Sequence, residues 1–172
     1  MSFQNTATDI LAIGYEGDRV GLINTSYGTL SMQVTNNALR VGQFAWKVLN
    51  TEANCDGVKG SNTLLAGYVQ RSQTTTNQLQ GISVNASMTI ALGQIAELAV
   101  RGQFLGKIIS LAGTNPVLQG SAVYVDDNGN IVADAGGVLT SYTKTNFLFD
   151  SPAAELIVGG LVKISNSQNI VA

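Results

Sequence analysis

Ala122-Val-Tyr-Val-Asp-Asp-Asn-Gly-Asn-Ile-Val-Ala133 carries the clearest structural signal in the chain. Two short runs rich in β-branched and aromatic residues flank Asn128-Gly129, a dipeptide that readily takes the positive φ angles of a tight hairpin turn. The stretch reads as two antiparallel strands joined by a two-residue turn. Asp126, Asn128 and Asn130 imitate a calcium loop, but Ile131 stands where that loop needs glycine and Gly137 where it needs glutamate. The turn reading therefore prevails over a metal site.

Working outward from the hairpin, residues 88–109 are the one place where a helix competes, because Leu92, Ile95, Leu98 and Ala99 could share a helical face. Gly93, Gly102 and Gly106 punctuate that stretch, and Ala96, Leu98 and Val100 alternate with Glu97, Ala99 and Arg101. Two strands, over about 94–101 and 103–110, fit better. Residues 64–70 form another strand candidate, in which Gly67 marks a bulge or a close backbone approach. From Leu39 the character of the chain changes, and Val41, Gln43, Ala45 and Lys47 alternate with Gly42, Phe44, Trp46 and Val48 as in a half-buried strand. Phe44 and Trp46 share one face there, and large aromatics so placed serve a core more often than a ligand platform.

Toward the C-terminus, residues 138–142, 146–149 and 156–164 supply three more short strands. About eight such strands with turn signals between them indicate an all-β fold, a single jelly-roll-like β-sandwich or barrel. Residues 1–38 lack any sustained period of 2 or 3.6 and read as an extended N-terminal arm, with 39–172 as the β domain. Apolar residues scattered along an arm gain nothing in water, so they are expected to lie against the body or a neighbouring subunit. Residues 71–87, rich in Gln, Thr, Asn and Ser, read as an exposed loop available to a partner.

Composition narrows the function. Charged residues are 12% of the chain, against roughly 25% in an average soluble domain. A neutral polar surface costs little to desolvate and suits large protein contacts, although it is also compatible with a plain soluble surface. Net charge is −2 and the nine Lys and Arg are scattered singly, so no basic stripe is available to neutralise phosphates, and nucleic-acid binding is not expected. The first residues lack the basic start and long apolar run of a secretory signal. The longest strongly apolar stretch, 156–162, is far short of the ~20 residues of a membrane helix. The expectation is a soluble protein made in the cytoplasm, without a membrane partner, so that the Asn24 and Asn85 glycosylation patterns are chance matches.

The chemistry needed for catalysis is missing. The chain has no histidine, which removes Ser-His-Asp and Cys-His relays and HExxH zinc sites. Its single cysteine, Cys55, can form neither an intrachain disulfide nor a zinc cluster and reads as a plain thiol. Gly136-Gly137 and Gly159-Gly160 lack the pattern of a phosphate loop. Asp126 and Asp127, neighbours near a strand end, are poorly placed for shared acid/base work. No catalytic residue, cofactor site or metal site is assigned.

Three segments carry a resemblance. Phe3-Gln4-Asn5-Thr6, then Ala12-Ile13-Gly14-Tyr15-Glu16-Gly17-Asp18, then Val41-Gly42-Gln43-Phe44-Ala45-Trp46 resemble the start of structural cement proteins of tailed bacteriophages. Later segments are similar too: Ala66-Gly67-Tyr68-Val69, the strand-Gly-aromatic unit within 96–104, and the hairpin within 120–131. The resemblance implies a β-rich, jelly-roll-like capsid decoration protein. Such a protein binds the outside of the assembled head as an oligomer, a dimer or a trimer, and ties major capsid subunits together. Its place would be the virion exterior, and its partners the major capsid protein and further copies of itself. Phe3, Gln4, Asn5, Ile10, Ile13 and Tyr15 are the candidate arm contacts. A tail-tube or fibre protein and a carbohydrate-binding β module are the alternative non-enzymatic readings.

Overall fold

A computed structural model describes residues 15–20, 28–71 and 88–166. Among these residues the regular structure is almost entirely strand: β1 (Gly28–Val34), β2 (Leu39–Arg40), β3 (Phe44–Val48), β4 (Asn54–Asp56), β5 (Thr63–Val69), β6 (Thr89–Ile90), β7 (Ile95–Gly113), β8 (Ala122–Val125), β9 (Ile131–Ala135), β10 (Thr143–Phe149) and β11 (Leu161–Asn166). A single 3-10 turn, Ala153–Glu155, is the only helical element in that set.

Nine strands form one sheet in the order β1-β4-β3-β5-β7-β11-β10-β8-β9. That sheet closes twice, because β1 returns to β7 and so does β9. Two closed circuits, each of five strands, therefore share β7. The expected all-β, barrel-like fold is borne out. Closure is the physical remedy for exposed strand edges, since each wall strand finds a neighbour on both sides.

The 19-residue β7 makes this possible. Its first part pairs antiparallel with β1, from Gln33 opposite Ile95 to Gly28 opposite Arg101. Its middle pairs with β11, from Asn166 opposite Gly102 to Leu161 opposite Lys107. Its last part runs parallel to β9. The partner changes at Gly102, whose φ of 133° lies where side chains other than glycine are strained. The expected break into two strands at this glycine is thus corrected: it lets one strand change partners without ending.

Alternation distributes the side chains between two cores. Phe44, Trp46, Tyr68 and Ala99 belong to the larger cluster, with Phe104, Phe147, Phe149 and Ile164, while Ala45, Val69 and Leu98 belong to the smaller, with Val34, Leu39 and Ile90. Because neighbouring residues on a strand point to opposite faces, β3, β5 and β7 form a wall buried on both sides. Phe44 and Trp46 are core residues, as their pairing on one face implied. Gly67 fulfils its expected role as well: a Cβ there would lie 2.7 Å from the Ala99 carbonyl oxygen.

Other expectations are revised. Residues 28–34, read as arm, form β1 inside the sheet. The strand expected over 41–48 is present as β3 from Phe44, while 41–43 form a turn. Residues 138–142 and 156–160 are turns, not strands, with Val138, Ile157 and Val158 facing solvent. The hairpin is present, with Val123, Tyr124 and Val125 opposite Ala133, Val132 and Ile131. Its loop, however, has three residues, 127–129, closed by Asp126 N–H donating to Asn130 O at 3.1 Å. Asp126 Oδ1 accepts from the N–H groups of Asn128 and Asn130 at 2.9 and 2.8 Å, which favours this turn with Gly129 alone at positive φ (73°).

Candidate interaction surface

The described parts of the segments that carry the sequence resemblance, residues 15–18, 41–46 and the 122–131 hairpin, meet in space. Residues 15–20 are sewn between β7 and the end of β5: Gly17 N–H donates to Leu105 O at 2.9 Å, Leu105 N–H to Asp18 O at 2.9 Å, and Arg71 N–H to Gly17 O at 2.8 Å. A Cβ on Gly17 would sit 2.3 Å from Val41, and one on Gly42 would sit 2.5 Å from the Glu16 side chain. Glu16-Gly17 and Val41-Gly42 thus interlock at van der Waals distance. The hairpin loop joins them, with Phe44 N–H donating to Gly129 O at 2.8 Å.

Charge is concentrated at this corner. Glu16 lies 3.7 Å from Arg40 and 3.8 Å from Lys107, and Asp18 lies 3.0 Å from Arg71. The Arg71 guanidinium stands over the Tyr15 ring at 4.7 Å, with the ring itself exposed. Nearby, the fully buried Gln70 amide accepts from Arg19 Nε at 3.0 Å and donates to Glu97 at 3.1 Å. These pairs hold the 15–20 turn on the body. Each is partly exposed or bridged by a neutral group, so each contributes on the order of 1 kcal/mol or less.

Of the residues expected to make arm contacts, only Tyr15 lies among the described ones; Phe3, Gln4, Asn5, Ile10 and Ile13 lie outside them. So does most of the polar stretch 71–87, of which Arg71 alone is described.

Two buried polar side chains, Asp56 and Tyr68, are held by partners within the fold. Asp56 accepts from the amides of Asn36 and Asn37 at 3.0 and 2.8 Å and from Val58 N–H at 3.1 Å, clamping two turns together. Tyr68 donates its hydroxyl proton to Leu105 O at 2.6 Å, and burial holds its phenol far above the usual range. Among the described residues no group of three His, Cys, Asp or Glu could hold a metal, and no helix is long and apolar enough to cross a membrane.

Cys55 is fully buried in the smaller core, and burial followed by the charge of Asp56 pushes its thiol from 9.0 to about 11. A raised acid pKa favours the neutral form in the folded chain. Above pH 9 the unfolded chain loses this proton while the folded one keeps it, so stability falls between pH 9 and 11 and levels off beyond. Denaturant midpoints measured at pH 8 and pH 10.5 should show this loss, with a shallower loss in Cys55→Ala. At pH 8 a thiol reagent should label Cys55 only once the chain is unfolded.

Exposed apolar side chains are scattered over the described surface, Leu64, Leu92 and Ile95 among them. Leu118 (67% exposed), Val138 (75%), Ile157 (59%) and Val158 (55%) stand on three loops around the second circuit.

Comparison with known proteins then places the chain. The family described as "Structural cement protein (E217 gp24/Pam3 gp6)" matches residues 3–166. The chain belongs to this family. No match is found among curated proteins. Among solved structures the cement protein is similar to a chain from "The capsid of Myoviridae Phage XM1", with a TM-score of 0.57, 14% identity, and coverage of 98% of this chain and 99% of that one. At that identity the likeness speaks for the fold. The role of this cement protein is a structural one in keeping with its family.

Proposed function

We propose that the protein decorates the outside of an assembled phage head and stabilises the contacts between major capsid subunits. The observation that carries this reading is the family match over residues 3–166, which takes in every described residue. The capsid origin of the similar structure supports it, as does a surface in which charge is sparse. The mechanism involves no bond making. Each copy buries a standard interface, on the order of 1,600 Å², against shell subunits and sister copies. A ligand that binds only the assembled state stabilises it by about 2.7 kcal/mol when present at 100 times its dissociation constant.

The arm residues Phe3, Gln4, Asn5, Ile10, Ile13 and Tyr15 are proposed to reach a neighbouring subunit. Residues 15–20 supply partners to β7 and β5, so a test of the arm must spare them. Deleting residues 2–14 should leave a body that melts within a few degrees of the parent but decorates heads poorly. The assay is co-sedimentation with heads assembled without the protein. Undiminished decoration would remove the arm from the mechanism. Spontaneous growth of the purified protein into tubes or fibres would favour the tail-tube or fibre alternative instead.

A further inference from the structure

The circuit that β1 closes is not sealed along the whole of that strand. Val34 N–H donates to Gln94 O at 2.9 Å and its carbonyl accepts from Gly93 N–H at 2.8 Å, whereas Gln33 N–H turns the other way and donates to Ala53 O at 2.7 Å. Backbone groups alternate in direction along an antiparallel strand, and the register with β7 runs without a break from Thr29 to Gln33. Leu30 and Met32 therefore bond to β7, while Thr29 and Ser31 turn their N–H and C=O groups outward. Among the described residues the strand on that outer side, β4, pairs only with Gln33 and Val34. Thr29 and Ser31 are exposed, so four main-chain groups stand open along a short edge.

Leu30 marks the same place through its side chain. It shares a face with Met32 and Val34, both buried in the smaller core, and lies opposite the fully buried Leu98, yet it is 42% exposed. Open edges are ordinarily guarded by charged residues, lysine above all, or by proline. Gly28–Val34 contains neither. An uncharged edge with ordered, unpaired groups is a template for another strand.

We propose that β1 pairs antiparallel with β1 of a second copy across a two-fold axis passing through Leu30. Thr29 of each copy then lies opposite Ser31 of the other in a hydrogen-bonded pair, which uses all four open groups of each copy. Leu30 meets Leu30 of the second copy at the close, non-hydrogen-bonded position between these pairs, extending the apolar row that begins at Leu98. Any extended strand could occupy the edge. A second copy fits it best, because the two-fold register sets Thr29 against Ser31, a hydroxyl pair that stabilises sheets, and sets no charge of β1 against its own image. A contact this short belongs with the small, transient interfaces, so the dimer is reversible. The inference does not rest on the decoration reading and is tested without heads, so its failure leaves that reading standing.

The test uses the full chain in solution. Its mass, measured over a concentration series, should rise from one chain toward two and stop there. Leu30→Lys sets two ammonium groups together at the axis, and Ser31→Pro removes an outward N–H but no bond to β7. Each should weaken the dimer at least roughly tenfold, and Leu30→Lys should keep the parent's melting temperature within a few degrees. Under mild oxidation Leu30→Cys should form a disulfide between copies, because residues directly opposed at that position bring their Cα atoms to about 4.5 Å, within the reach of the bond. Leu64→Cys, on β5 and more exposed, should not, and the buried Cys55 does not compete. A trimer, a dimer that Leu30→Lys leaves intact, or equal cross-linking of the two cysteine variants would overturn the proposal. A mass of one chain at every concentration would overturn it too, and loss of head binding in Leu30→Lys would then assign the edge to a strand of the shell.

Discussion

Gly129→Ala should be among the most damaging single substitutions in the protein, lowering stability by about 2 to 5 kcal/mol. Two separate costs add. Gly129 holds φ at 73°, where an alanine pays roughly 1 to 2 kcal/mol. A Cβ there would also lie 2.0 Å from the Phe44 carbonyl oxygen and 3.2 Å from its nitrogen. Backbone cannot yield as a side-chain end does, so the loop must move. The bond from Phe44 N–H to Gly129 O then breaks, stranding a donor in a fully buried setting at a further cost of about 1 to 3 kcal/mol. Total stabilities of only 5 to 15 kcal/mol make this a large fraction. Gly120→Ala is the control: its φ is 83°, but nothing lies within 4 Å of its would-be Cβ, so it should cost only about 1 to 2 kcal/mol. Equal losses in urea titrations of the two variants would mean that contact with Phe44 is irrelevant and only the backbone angle matters.

The hairpin around Gly129 was legible because short-range chemistry decides it: Asn128-Gly129 can do little but turn, and flanking valines favour strands. The loop length was not, because Asp126 selects the turn through its own side-chain bonds. The core positions of Phe44 and Trp46 were readable for the same local reason. Closure was not readable. Nothing within residues 95–113 shows that one strand serves two circuits, since Gly102 looks like a break in a string of letters and acts as a joint only when β1 and β11 meet there. Val138 and the pair Ile157-Val158 misled in the opposite direction. Apolar, β-branched residues read as strand, and only the glycines that follow or precede them hinted at turns. At the candidate surface, spacing could place the aromatic and charged motifs in sequence but could not show that Gly17, Val41, Gly42 and Glu16 interlock.

Phe44→Ala should cost about 3 to 5 kcal/mol, the usual range for removing a buried phenylalanine, and should do so without uncoupling the two cores. Phe44 is 1% exposed and lies 5.1 Å from the Tyr68 ring and 5.5 Å from Phe147, the latter nearly perpendicular at 74°. Those partners come from different circuits, Tyr68 from β5 and Phe147 from β10. The substitution thus opens a cavity at the seam, where Phe104 also approaches Tyr68 and Phe147 at 5.7 and 6.3 Å. Two barrels merely tethered at a seam would respond by melting separately. Here β3, β5 and β7 are walls of both cores, so neither core survives loss of the other. Unfolding should remain a single transition in which Trp46 fluorescence and far-ultraviolet circular dichroism coincide. In a double-mutant cycle with Phe147→Ala the pair should couple by about 0.5 to 1.5 kcal/mol. Separated transitions in Phe44→Ala would show that the shared wall does not bind the cores into one cooperative unit.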